Sequence, residues 1–209
     1  MNAPTDPARL LAAAADHEAA VARLCAALDA AFDACSTPDD PSRCTHFARG
    51  VRSALALALG EPALVTPAQR ESGATRYRRH LIAACPQGRY AVAALVWLPG
   101  QASPIHAHHT WCGYAVLEGT LTETLYRWDT ARDGATVLRS HARAAGATAF
   151  GGRGRAAIHR LSRAVGDAAQ PCVSLHVYGV PPEQIATGVN DVVPLVSLHA
   201  ASIRTAPVA

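Results

Sequence analysis

No stretch of this 209-residue chain approaches the roughly 20 consecutive apolar residues that a membrane-spanning helix needs, so no span is expected. A secretory signal is missing too. The amino terminus is rich in alanine, but Asp6, Arg9, Asp16 and Glu18 interrupt it, where a signal would place positive charge first and then an unbroken apolar core. Strong charge of one sign is also absent. The formal net charge is +3 and the arginines are scattered, which argues against a nucleic-acid partner. The six cysteines (Cys25, Cys35, Cys44, Cys85, Cys112 and Cys172) form no C-x-x-C pair, which excludes a zinc ribbon or a thioredoxin-type motif. A chain of this length can build a core without disulfides, so reduced thiols and a cytoplasmic location are expected. No repeat of 20–50 residues is visible.

What remains is a composition that is 50% hydrophobic and 17% charged, fitting one globular domain. Two textures divide it. Residues 1–60 read as a helical layer, with Ala and Leu dense from Pro7 onward and Leu10, Leu11, Ala14, Val21, Leu24 and Leu28 on one stripe. Pro38, Asp39, Asp40 and Pro41 break it, and a second helix is expected over about Ser42–Leu59, ending at Gly60. Residues 75–193 read as a β-barrel. Short apolar runs such as YAVAALVWL, LTETLYRW and CVSLHVYGV are separated by Gly, Pro and Asp. Some alternate with period two, as in Leu121, Glu123 and Leu125 against Thr122, Thr124 and Tyr126. The expected fold is mainly β, with the helices packed on a barrel. The apolar tail after Val193 is expected either to pack on that barrel or to fray.

Three histidines then stand out. His106 and His108 are two apart, and on a strand that spacing puts both imidazoles on one face, where a third ligand from another strand completes a metal site. His109 falls on the opposite face. An H-x-H alone is a weak signal and reads more readily as core histidines. Its surroundings add to it: Gly100, five residues, His106-x-His108, three residues, Cys112, six residues, Gly119 follows the first motif of the cupin family. Cys112 holds the place of that motif's usual glutamate ligand, which leaves a site of histidines only. His159, in AAIHRLSR on a later strand, is the candidate third ligand, although Arg163 stands where the second cupin motif has Asn.

The segments WLPGQASPIHAHHTWCGYAVLEGTLTETLYRW, AIHRLSR and SLHVYGV, in this order, resemble the thiol dioxygenases of the cysteine dioxygenase type I family, within the cupin superfamily. The resemblance covers about half the chain, from Tyr77 to Val180. It implies a cupin, jelly-roll-like barrel and a mononuclear non-haem Fe(II) held by His106, His108 and His159. It also implies an outer relay of Ser174, His176 and Tyr178, and a substrate-carboxylate clamp of Tyr77 and Arg79. In some members a cysteine is joined to the relay tyrosine by a thioether, and Cys112 and Tyr178 stand at the matching positions. The partners implied are a small thiol carboxylate and dioxygen, in a monomer or small homo-oligomer, and the product is a sulfinic acid.

The substrate is the least determined part. Arginine at position 79 favours L-cysteine, whereas the 3-mercaptopropionate branch tends to have glutamine there. The short spacing from His108 to Cys112 resembles that second branch. Arg76, Arg78 and Arg79 together would also suit a dicarboxylic thiol such as mercaptosuccinate. A zinc or nickel cupin doing isomerase or hydrolase work is the remoter alternative, because neutral imidazoles bind several metals alike. Trp97, Trp111 and Trp128 read as packing residues, and His17, His46, His80, His141 and His199 as peripheral.

Overall fold

The computed structural model describes residues 6–37, 39–166 and 170–196. Pro38, His199 and the tail from residue 197 lie outside the described residues.

Helix α1 runs over Pro7–Asp33. Asp6 caps it by accepting from the Ala8 amide at 3.0 Å, and Pro7 occupies the first turn, where its missing N–H costs nothing. Its Ala-rich sequence makes it helical, but only the later turns reach a core, through Ala20, Leu24, Leu28 and Ala31. The expected stripe is therefore too long. Leu10 and Leu11 are exposed, because they lie beyond the layer that α1 covers. Helix α2 runs over Thr45–Ala58, preceded by a 3₁₀ turn at Pro41–Arg43, so it starts three residues later than the sequence suggests. The two helices approach closely at Gly50, where an added Cβ would lie 2.7 Å from the Cβ of Ala31. Any side chain there would push the helices apart.

Ten strands follow: β1 (Arg78–Ala84), β2 (Ala91–Trp97), β3 (His106–His108), β4 (Cys112–Glu118), β5 (Thr120–Asp129), β6 (Gly134–Ala144), β7 (Thr148–Gly151), β8 (Gly154–Ser162), β9 (Cys172–Tyr178) and β10 (Asn190–Val192). They form two five-stranded antiparallel sheets, in the orders β1-β2-β9-β4-β7 and β10-β3-β8-β5-β6. The architecture is the mainly β cupin arrangement that was expected, built as two facing sheets rather than one closed barrel. Strands β1 and β10 have no clear signal in the sequence, since neither is a distinct apolar run.

The central strands β2 and β9 of the first sheet are buried on both faces, which is why they read as nearly continuous apolar runs. On β9, Leu175 and Val177 pack outward in one core with Leu24, Leu28, Phe47, Val51 and Leu55 of the helices. Each such side chain fully buried contributes about 1.5–3 kcal/mol relative to exposure. Gly113 on β4 lets α2 lie close, because a Cβ there would meet Val51 Cγ1 at 2.8 Å. The alternate residues of β9, Ser174, His176 and Tyr178, consequently point to the other face, towards the second sheet. On β5 the period-two reading holds from Leu121 to Tyr126: Leu125 faces inward opposite His159, and Tyr126 faces the other side opposite Ile158. Tyr126 is nonetheless buried, because a small core with Ala107, Ile158 and Val193 covers it on that outer face; the register shift beside it lies in β6, where Leu138 is the extra residue.

Candidate metal centre

The second sheet brings the three histidines together. His106 on β3 is directly paired with His159 on β8, and His108 sits one pleat along on the same face. One ligand nitrogen from each lies within 4.8 Å of the others, and all three residues are buried. Ring centroids are 4.7 Å apart for His106 and His159, 4.9 Å for His106 and His108, and 5.1 Å for His108 and His159. His109 is exposed and outside the cluster.

Two of the rings are held by their far nitrogens. His106 Nδ1 lies 2.9 Å from the Pro104 carbonyl and His159 Nδ1 lies 2.9 Å from Glu123 Oε1, so in each case the Nδ1 proton is donated and Nε2 is left free. Nδ1 of His108 is buried without a hydrogen-bond partner. Burial, and then the neighbouring His159, push the pKa of His106 down to about 3. Burial and the adjacent His159 and His106 hold that of His108 well below its ordinary value. Neutral imidazoles with free lone pairs, converging in a buried place, are a donor set that fits a borderline divalent metal such as iron. Exposed surface histidines would offer no such preorganisation.

Glu123 was missed in the sequence. It is 3% exposed and anchors a buried network. Besides His159 it accepts from Arg143, with Nε at 2.8 Å and Nη2 at 2.7 Å, and it lies 3.1 Å from His141 Nε2. Burial alone would raise its pKa. The hydrogen bond and charge of His159, with those of Arg143, outweigh burial and hold it at about 2. The signal was a charged residue at an inward position of an alternating strand, between Leu121 and Leu125. The network also corrects the reading of His141 as peripheral.

The inward face of the first sheet supplies the opposite wall. Ser174 Oγ lies 2.9 Å from His176 Nε2, and Trp97 Nε1 donates to the same Oγ at 2.9 Å. Trp97 is thus more than a packing residue: it orients the hydroxyl that meets His176. The His176 and Tyr178 rings stack at 5.7 Å, and Tyr114, from β4, stacks on His176 at 5.4 Å. Burial, then the positive charge of Arg79, keeps His176 neutral, while burial and then Cys112 raise the Tyr178 phenol well above its ordinary pKa. Cys112 on β4 is the direct cross-strand partner of Tyr178 on β9, and both belong to one small core.

Arg79 lies on β1. Its Nη1 donates to the Ile185 carbonyl at 2.9 Å, and its guanidinium carbon stands 5.9 Å from the Tyr77 ring centre and 5.8 Å from that of Tyr178. Nε of Arg79 is buried without a partner. Tyr77 in turn stacks on Trp97 at 4.2 Å. Arg79, Tyr77, His176 and Tyr178 line the same cavity as the three histidines, and its free volume is about 10 Å³. Every site residue expected from the sequence lines this cavity except Ser174, which lies behind His176, and Cys112, which lies beside Tyr178.

Fold and site together define a cupin with three buried histidines that could hold a metal ion. The profile of the cysteine dioxygenase type I family matches residues 72–188, and the chain belongs to that family. Solved structures share the fold region at low identity. A protein from Thermus thermophilus is 22% identical over 54% of this chain and 90% of its own, with a TM-score of 0.41. The polyketide cyclase RemF from Streptomyces resistomycificus is 23% identical over 54% of this chain and 72% of its own, at 0.39. An RmlC-like cupin with a double-stranded β-helix fold from Methanocaldococcus jannaschii is 11% identical over 56% and 91%, at 0.39. At these values the likeness says nothing of activity. No helix among the described residues is long and apolar enough to cross a membrane.

Proposed function

We propose that this chain is an iron-dependent thiol dioxygenase that converts a small carboxylate thiol and dioxygen to a sulfinic acid, with L-cysteine as first substrate. The observation that carries the reading is one cavity that joins three buried imidazoles to a guanidinium and to the inward residues of β9. Iron, held by His106, His108 and His159, would supply a binding place for the thiolate and the activation of dioxygen.

The remaining work falls to the chain itself. Arg79 would clamp the carboxylate with its planar fork, and Tyr77 would flank it. A cavity of about 10 Å³ holds no amino acid, so binding would require Arg79 to exchange the Ile185 carbonyl for the substrate carboxylate. That exchange replaces a neutral acceptor with an ionic one, and such bonds are the stronger. Trp97 and Ser174 would hold the His176 ring, and His176 would hold the plane of Tyr178 by stacking. Tyr178 keeps its proton and would donate it as a hydrogen bond towards the reacting atoms. Oxygen uptake by the iron-loaded protein with L-cysteine, 3-mercaptopropionate and mercaptosuccinate, each matched to its sulfinate, tests the reading. Uptake with none of them at full iron occupancy, or a native content of zinc, would sink it in favour of a non-oxidative cupin.

A dicarboxylic thiol is the second reading. Arg76, Tyr77, Arg78 and Arg79 line an outer cavity of about 500 Å³ at the edge of the site. Arg78 is paired there with Glu71 at 3.1 Å, which leaves Arg76 as the candidate for a second carboxylate.

A further inference from the structure

The histidine cluster has a second flank that the proposed mechanism does not use. A cavity of about 190 Å³ borders His108 and His159 and continues away from Arg79, between β4 and β7 of one sheet and β5, β6 and β8 of the other. It shares only those two histidines with the Arg79 cavity. Strands β6 and β7 are the outer strands of their sheets and do not pair with each other, so the sandwich is open along this side. Ala149, Phe150 and Gly151 of β7 are half-buried, which brings the cavity out to the molecular surface.

Its chemistry differs from that of the Arg79 side. Leu125, Ala149, Gly151 and Ala157 make an apolar wall, while the Phe150 ring turns to the helices, against Phe47 and Trp111. The one guanidinium on this wall, Arg143, is bound to Glu123 through two nitrogens. A thiol carboxylate placed here would lose its hydration and face the Glu123 carboxylate, with no cation left to answer it. A lodged water is poorly served as well. It needs two to four polar partners, and with Glu123 and Arg143 spent on each other the wall offers chiefly the unpartnered Tyr114 hydroxyl and Nδ1 of His108, the bare minimum. A small uncharged molecule meets neither cost, and dry apolar cavities are known to take up such molecules.

We infer that this cavity is a dioxygen site, which admits the gas between β6 and β7 and delivers it to the histidine cluster from the flank opposite Arg79. The inference rests on the dioxygenase reading above. It gives the two substrates separate routes: the charged thiol arrives past Arg79, and the apolar gas arrives past Ala149 and Ala157. The gas can then reach the cluster while the thiol fills the other side.

Crystals of the metal-free protein pressurised with xenon test it without any turnover. Xenon is expected between Leu125, Ala149 and Ala157. Ala157→Phe fills that volume and should remove the xenon, raise KM for dioxygen severalfold, and leave KM for the thiol and the iron content unchanged. Should that variant fail to fold, Ala149→Leu fills the same space from β7. Xenon found nowhere in this cavity, or an unchanged KM for dioxygen in a variant that excludes xenon, overturns the inference. A protein inactive towards every thiol would count against the proposed function instead, and xenon occupancy would still decide this cavity.

Discussion

His159 Nδ1 lies 2.9 Å from Glu123 Oε1, and the two side chains are almost wholly removed from solvent. The contact ties the candidate ligand on β8 to a carboxylate on β5, which β6 fixes in turn through Arg143. It sets which imidazole nitrogen carries the proton and which faces His106 and His108. Glu123→Gln keeps the shape but removes the charge. It is expected to weaken divalent-metal affinity about 10–100-fold, as loss of such outer partners does. Chelator competition and the rise in Tm on adding metal measure this. Glu123→Asp should recover part of the loss. Unchanged affinity in both variants would remove Glu123 from the metal's support.

Arg79→Gln should raise KM for a carboxylate thiol by about 10–100-fold, the worth of roughly 1.5–3 kcal/mol for a hydrogen bond to a charged group. Iron affinity should stay unchanged, because Arg79 touches none of the histidines through a hydrogen bond among the described residues. A simple thiol without a carboxylate should be indifferent to the change. An unmoved KM for the carboxylate thiol would show that another group clamps it.

Cys112 and Tyr178 face each other across the β4–β9 ladder. If the thioether forms, protein incubated with iron, thiol and oxygen should be lighter by two hydrogens in intact-mass analysis, and peptide mapping should join the two strands. Cys112→Ala should abolish that species. A full-length mass identical to the unmodified chain after turnover would mean that the pair is only packed together.

The metal-free protein should lose stability on acidification. His106 has its pKa lowered to about 3, and His108 and His176 lie well below their ordinary value. Below about pH 6.5 the unfolded chain takes up protons on these histidines that the folded chain refuses, so stability falls as pH drops. The slope is about 1.4 kcal/mol per pH unit for each such histidine, continuing for His106 down to about pH 3. Glu123, held at about 2, adds a loss in the same direction once pH falls below its ordinary range. Tm recorded from pH 7.5 to 4 tests this, and a flat profile would contradict the burial of these rings. Bound metal should raise the whole profile without flattening it, since a coordinated imidazole takes up no proton while the unfolded chain still does.

The helical layer, the run of short strands, the H-x-H pair and the alternating Ser174, His176 and Tyr178 were all legible in the chain itself. Each depends on local spacing: 3.6 residues per turn for the helices, two for strand faces. The resemblance supplied His159, Arg79 and Cys112 by position. Only the tertiary structure decided which faces meet. Glu123 reads like an exposed strand charge until β8 and β6 are laid beside β5, and His141 reads like a surface residue for the same reason. The burial of Tyr126 on its outer face, the exposed start of α1 and the opening between β6 and β7 likewise follow from packing between elements distant in sequence. Periodicity determines what a strand can present to each side. Register and sheet order, fixed by contacts across the whole chain, determine what it presents those side chains to.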